Sequence, residues 1–295
     1  MKEAPLRGRV ILKEKMNKKR SFLRTAAAYP HMVWSVLFIV APLIFVLYYA
    51  LTKEDANGNF YFSWSNITAL AGENYLPVFF RSICFAIVAT AICLLLAYPL
   101  AYFLSKCKVS SQRMLIMLVM LPMWMNLLIR TYSWMNILET NGLINNLLTA
   151  IGLPNAQLLG NGAAVVLGMV YNFLPYMIMP IYTVMSKIDS RYLEAASDLG
   201  CNGRQVMLRV VFPLSVSGII SGITMVFVPS VSTFYISQKM GNGRFEMIGD
   251  TIERQFMSNY DYHMGATLSL VLMVLIIICL AVMNRFGDEE GGVLV

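Results

Sequence analysis

The stretch KIDSRYLEAASDLGCNGRQVMLRVVFP, residues 187–213, is a short polar segment set between two long apolar ones. Apolar runs of about 20 residues cross a hydrocarbon core of about 30 Å as helices. The segment between them carries Lys187, Asp189, Arg191, Glu194, Asp198, Arg204 and Arg209 and therefore sits in water. Ser190 is placed to cap a helix that starts at Arg191, and Gly200 stands where a left-handed C-terminal cap is expected. Asn202 can cap a second helix, running to a break ahead of Pro213. Ala195 and Ala196 offer a flat surface for close approach, and Glu194 and Asp198 offer acceptors. Two readings follow from the residues: an amphipathic connector on the membrane surface, or a docking element for a soluble partner.

Composition agrees with the membrane reading. Hydrophobic residues make up 58% of the 295 positions and charged residues 13%, against about 25% charged in a soluble domain. Mean hydropathy is +0.63. Long uninterrupted apolar runs, without the alternation of a barrel strand, make the chain an all-α integral membrane protein. Six spans are expected, at 31–51, 82–104, 114–138, 162–185, 210–236 and 263–284. Pro42 breaks the first, and the third carries Pro122 and Arg130. Pro99, Pro122, Pro175, Pro180 and Pro229 fall inside spans, which neighbouring helices make tolerable. The expected organisation is a basic arm at 1–30, a transmembrane unit at 31–284 with its polar loop at 187–209, and a tail at 285–295.

Lysine and arginine set the orientation. With the N-terminus cytoplasmic, that side collects nine from residues 1–30 together with Lys106, Lys108, Arg113, Lys187, Arg191, Arg204, Arg209 and Arg285. The other side collects Lys53, Arg81, Arg130, Lys239, Arg244 and Arg254. The bias predicts both termini and the 187–209 loop in the cytoplasm. The basic arm then reads as a segment attracted to anionic lipid, with no nucleic-acid partner implied.

Several function classes are excluded by what is missing. The chain has no phosphate-binding Gly-x-x-x-x-Gly-Lys-Ser/Thr loop, no Gly-x-Ser-x-Gly elbow and no His-Glu-x-x-His. Its two histidines, His31 and His263, lie at span ends, and its five cysteines lie in spans or cytoplasmic loops, so no metal site and no disulfide framework is expected. Energy and solute capture therefore come from other proteins, if the chain is part of a pump.

Glu194-Ala195-Ala196, then Gly200, then Val210-Val211-Phe212-Pro213 resembles the EAA loop of ABC importer permeases, with Val210 and Phe212 replacing other apolar residues. The stretches PMWMNLLIRTY (122–132), LPYMIMPIY (174–182) and FYISQKMG (234–241) are similar to those of B-type permease subunits of spermidine/putrescine importers. The resemblance implies a type I importer permease fold and a cytoplasmic coupling helix that enters a cleft of an ATPase, carried by Glu194, Ala195, Ala196, Gly200 and Pro213. It also implies a second permease subunit, two copies of the ATPase, which binds the ATP and magnesium, and an extracytoplasmic polyamine-binding protein. No cofactor on this chain and no enzymatic activity of its own are expected. An importer for sulfate, a sugar or an amino acid is the alternative; a stand-alone channel or secondary transporter leaves the EAA spacing without a reason.

Polar groups at membrane depth face a cavity or a partner helix. On that ground Asn126, Asn172, Ser230, Ser232 and Thr233 are candidates for the solute path. Tyr132, Tyr171 and Tyr235 offer aromatic faces to an ammonium, and Glu139, Asp250 and Asp261 offer carboxylates on the outer side. Arg130 is expected at the outer interface with its stem snorkelling. Gly218 and Gly222 form a small-residue step suited to a subunit interface, and residues 143–153 read as an amphipathic helix on the outer face.

Overall fold

The computed structural model describes residues 29–55, 59–70, 72 and 75–291, with side chains described as far as Met283 and at Arg285. Most of the basic arm and the end of the tail lie outside the described residues. The elements are α1 (Tyr29–Leu51), a hairpin of β1 (Thr52–Glu54) and β2 (Phe60–Phe62), α2 (Ser65–Leu70), α3 (Leu76–Lys106), α4 (Val109–Trp124), α5 (Leu127–Leu138) and α6 (Leu143–Ala150). They continue with α7 (Gly162–Met185), α8 (Ser190–Asp198), α9 (Gly203–Ser232), α10 (Tyr235–Met240), α11 (Ile248–Met257) and α12 (Tyr262–Gly291). The antiparallel hairpin, Thr52 opposite Phe62, is the one sheet among the described residues.

Three helices make the centre. Cys93, Ala97, Ala101 and Leu104 of α3 pack on Met177, Ile178 and Ile181 of α7 and on Ile219 and Val226 of α9. Lipid offers no hydrophobic gain for helix association, so contact area and close approach must hold the bundle, and small residues permit both. Gly218 and Gly222 serve that purpose within this chain: both face α7, against Pro180 and Met177. The step expected at a subunit interface is an intrachain contact. Helix α12 packs beside α9 and α11, with Leu268 and Leu272 meeting Phe227, Val231 and Ile248. Helix α1 stays peripheral, with Ala50 its one buried residue.

Among the described residues five helices are long and apolar enough to cross a membrane, or six if α4 and the bent stretch Leu127–Ala150 that follows it count as one span. That bend corrects the expected continuous helix at 114–138. The chain turns by 91° after Trp124, where Met125 and Asn126 are extended and the Asn126 side chain accepts a 2.8 Å hydrogen bond from the Leu128 amide. Asn126 is thus the cap that starts α5, a local use for an amide that reads from sequence as a path residue.

The helix following residue 202 does not break before Pro213. A π-turn over Met207–Val211, closed by the Phe212 amide on the Met207 carbonyl, carries α9 straight through the proline. The same device precedes Pro42, where Val36–Val40 form a π-turn closed by the Ala41 amide on the Val36 carbonyl. Proline lacks an N–H and clashes with the preceding turn, and widening that turn by one residue relieves both. At its far end α9 stops at Ser232 rather than 236, because Thr233 is extended.

Candidate coupling loop and outer cavity

Helix α8 is built from local signals. Its cap is Asp189, whose Oδ1 accepts from the Arg191 amide at 3.0 Å, one residue earlier than the expected Ser190. A carboxylate accepts more strongly than a hydroxyl and suits the positive helix end. Gly200 closes α8 with φ +81°, and the Cys201 amide reaches back to the Ala196 carbonyl in the six-residue pattern of a Schellman ending. Asn202 then opens α9 with a reciprocal box: its side chain accepts from the Gln205 amide, and the Gln205 side chain accepts from the Asn202 amide. The turn between α8 and α9 is therefore fixed on both sides by hydrogen bonds.

The two alanines of the loop meet different surroundings. Ala196 is buried against its own chain, in the cluster holding Val206, Val211 and Met185, whereas Ala195 and Glu194 face outward. The flat surface expected from Ala195 and Ala196 together is thus half of that. Exposed beside Ala195 are Tyr192 at 60% and Leu199 at 86% of full accessibility. This pair of large apolar groups on a polar loop is a candidate contact surface. Leu199 was legible in the sequence as an apolar residue immediately before the αL glycine. Pro213 is exposed at the end of the π-turn.

The remaining candidates lie mostly on α5, α7 and the 230–261 region, and the structure gathers only some of them. Tyr132 and Tyr235 meet edge to face with centroids 6.3 Å apart. Their faces already hold a cation, since Lys239 Nζ lies 5.7 Å from one centroid and 5.9 Å from the other. Tyr171 packs on Trp134. Asn172 is buried on α7, donating to the Gly168 carbonyl at 2.8 Å while its Oδ1 has no partner. Ser230 and Ser232 turn their hydroxyls back on α9 carbonyls. Asp261 accepts from the Met264 amide and so caps α12, and Glu139 is exposed after α5. Arg130 is not a snorkelling interfacial residue: it is buried, and its Nε and one terminal nitrogen have no acceptor. The turn after Trp124 swings α5 back against the bundle and carries Arg130 inward.

Asp250 is the most perturbed of the candidate carboxylates. It is 5% exposed on α11, one oxygen accepting from the Met247 amide at 2.6 Å and the other without a partner. Burial pushes its carboxyl up to about 6 against the lowering pull of the Met247 amide and the Ser237 hydroxyl, and Glu246 and Glu253 nearby raise it further. Gly249 brings α11 against the end of α9; a methyl there would collide with the Ser232 and Thr233 carbonyls.

Residues 82–288 match the family of binding-protein-dependent transport system inner membrane components. The chain belongs to this family. It is a multi-pass inner-membrane permease of an ABC importer, and residues 187–213 and 237–258 both lie within the matched region. Among relatives of this permease, the spermidine/putrescine transport system permease protein PotB of Haemophilus influenzae is 35% identical, over 85% of this chain and 90% of that one. PotB of Escherichia coli is 36% identical, over 85% and 93%. A crystallised bacterial ABC transporter that imports the acidic polysaccharide alginate shares the fold, with a TM-score of 0.75 at 16% identity, covering 94% of this permease and 99% of that chain. The permease also carries an apolar groove of about 480 Å³ between α4, α7 and α9, bordered by Met120, Met123, Tyr176, Met179 and Met225.

Proposed function

We infer that this permease is one of two membrane subunits of a polyamine importer taking spermidine or putrescine. The observation that carries the reading is the 35–36% identity to PotB proteins over 85% of the chain. It is supported by the acidic and aromatic character of the α10–α11 end, which suits a cation. Alginate, the cargo of the structural neighbour, is an acid, and at 16% identity that likeness concerns the fold alone.

In this reading both termini and α8 are cytoplasmic, six spans form the transmembrane unit, and the α10–α11 end faces outward. The second permease subunit completes the path, and two ATPase copies bind ATP and magnesium. A polyamine-binding protein delivers cargo to the outer end. Glu194, Ala195, Gly200, Tyr192 and Leu199 present α8 to the ATPase, with Ala196 and Pro213 holding its geometry. Closure of the ATPase pair on ATP draws the two α8 handles together. The hydrogen-bonded turn passes this motion to α9, and the spans alternate between inward-open and outward-open. Such coupling requires α8 to contact the ATPase differently in the two states.

Uptake of radiolabelled putrescine and spermidine by liposomes holding the reconstituted complex tests the reading. ATP-dependent uptake that needs this subunit and the binding protein, and resists excess sulfate, sugar or amino acid, is the expected result. Competition by one of those solutes, with no polyamine uptake, overturns it.

A further inference from the structure

The α10–α11 end holds a cavity of about 170 Å³ whose polar lining includes Ser237, Gln238, Glu246, Asp250, Glu253 and Arg254. Three carboxylates and one guanidinium share it. Arg254 pairs with Glu246, which leaves the charges of Asp250 and Glu253 without a cationic partner. Glu253 accepts one hydrogen bond, from the Gln238 side chain at 3.0 Å. Asp250 lines the cavity; one of its oxygens holds the α11 start, and the other is buried without a partner.

A buried acceptor left without a donor costs about 1–3 kcal/mol, and such groups are rare in folded proteins. The capping role explains one oxygen of Asp250 and not the second, because an Asn, Ser or Thr caps without burying a charge. No three acidic, thiol or imidazole side chains among the described residues converge as metal ligands, and the lining presents amide and hydroxyl groups beside its acids. That set of acceptors suits an organic ammonium, which brings three N–H donors and no acceptor of its own.

The geometry points to a primary-ammonium site in this cavity, with Asp250 and Glu253 as counter-charges and the Ser237 hydroxyl and Gln238 amide oxygen as further acceptors. The site rests on the polyamine reading for its ligand and assigns to this subunit one outer station for an aminoalkyl end. A volume of about 170 Å³ holds such an end with a few waters, at about 30 Å³ each. Lys239, held over Tyr132 and Tyr235, already faces the neighbouring aromatic pair, whereas no ion pair among the described residues meets Asp250 or Glu253 of the acidic cavity.

Equilibrium dialysis of radiolabelled putrescine against the assembled complex without binding protein tests the site, with uptake by the same complex measured in parallel. Asp250→Asn keeps an oxygen for the Met247 amide and removes the charge; Glu253→Gln does the same at the rim. Each is expected to raise the putrescine Kd about tenfold, equivalent to about 1.4 kcal/mol, with Asp250→Glu recovering part of the loss. Glu253→Gln carries the test if Asp250→Asn fails to assemble. Binding that depends on both acids supports the site even if uptake shows another cargo, in which case only the polyamine reading fails. Putrescine binding that is absent in the wild-type complex, or equal in both variants, overturns the site even if polyamine uptake is normal.

Discussion

Gly218 sits directly against Pro180: a methyl group built on its α-carbon would stand 3.0 Å from the Pro180 carbonyl oxygen and 3.1 Å from the Ile181 α-carbon. Both neighbours are backbone and cannot swing away, so this contact sets how closely α9 approaches α7. Replacing Gly218 by Val is expected to cost about 1–3 kcal/mol, the usual range for overpacking. Thermal unfolding in detergent measures it, with Ser217→Ala, on an exposed face, as the neutral control. An unchanged melting temperature for Gly218→Val would show that the helices part freely.

At Gly200 the obstacle is conformational. A side chain there meets nothing within 4 Å, but the backbone lies at φ +81°, where a β-branched residue is strained by about 1–2 kcal/mol or more. Gly200→Asn is expected to retain uptake and Gly200→Val to lose most of it, with equal amounts of both in the membrane. Equal uptake by the two variants would remove the left-handed turn from the coupling argument.

Ala195 and Ala196 are adjacent yet expected to fail differently. Ala196→Leu crowds the contact with Val206 and Val211 and lowers the stability of the permease by itself. Ala195→Leu leaves that stability within about 0.5 kcal/mol, as surface changes do, and weakens co-purification of the ATPase. Melting of the isolated permease and pull-down of the ATPase separate the two; the reverse pattern would mean that α8 docks through its other face.

Asp250 gives a pH prediction with a definite sign. Its carboxyl titrates near 6 in the folded chain against an ordinary value of 3.8, so the folded state holds the proton more tightly than the unfolded. The charged neighbours facing it, Glu246 and Glu253, push the same way. Stability from this group is present below about pH 4 and is lost as pH rises to about 6, by up to about 3 kcal/mol. Asp250→Asn is therefore expected to melt higher than wild type at pH 7 and to lose that advantage near pH 4. A stability difference that does not change across this window would place the Asp250 proton elsewhere.

What the sequence by itself determined is what contiguous residues decide. Apolar runs long enough to span a membrane, the helix-turn-helix at 187–213, its αL glycine and the Asn202 cap each depend on a few neighbouring residues. The family resemblance extended this reading to the function. The tertiary structure decided everything that depends on which face of a helix meets another. Trp124 and Asn126 mark a right-angle turn that hydropathy averages away, and that turn buries Arg130. The angular position of two adjacent residues on α8 hides Ala196 and bares Ala195. Asp250 reads in sequence like Glu139 or Asp261, one outer acid among several. Only the packing of α11 on the end of α9 removes it from water, and desolvation, a property of the assembled surroundings rather than of the residue, separates it from the others.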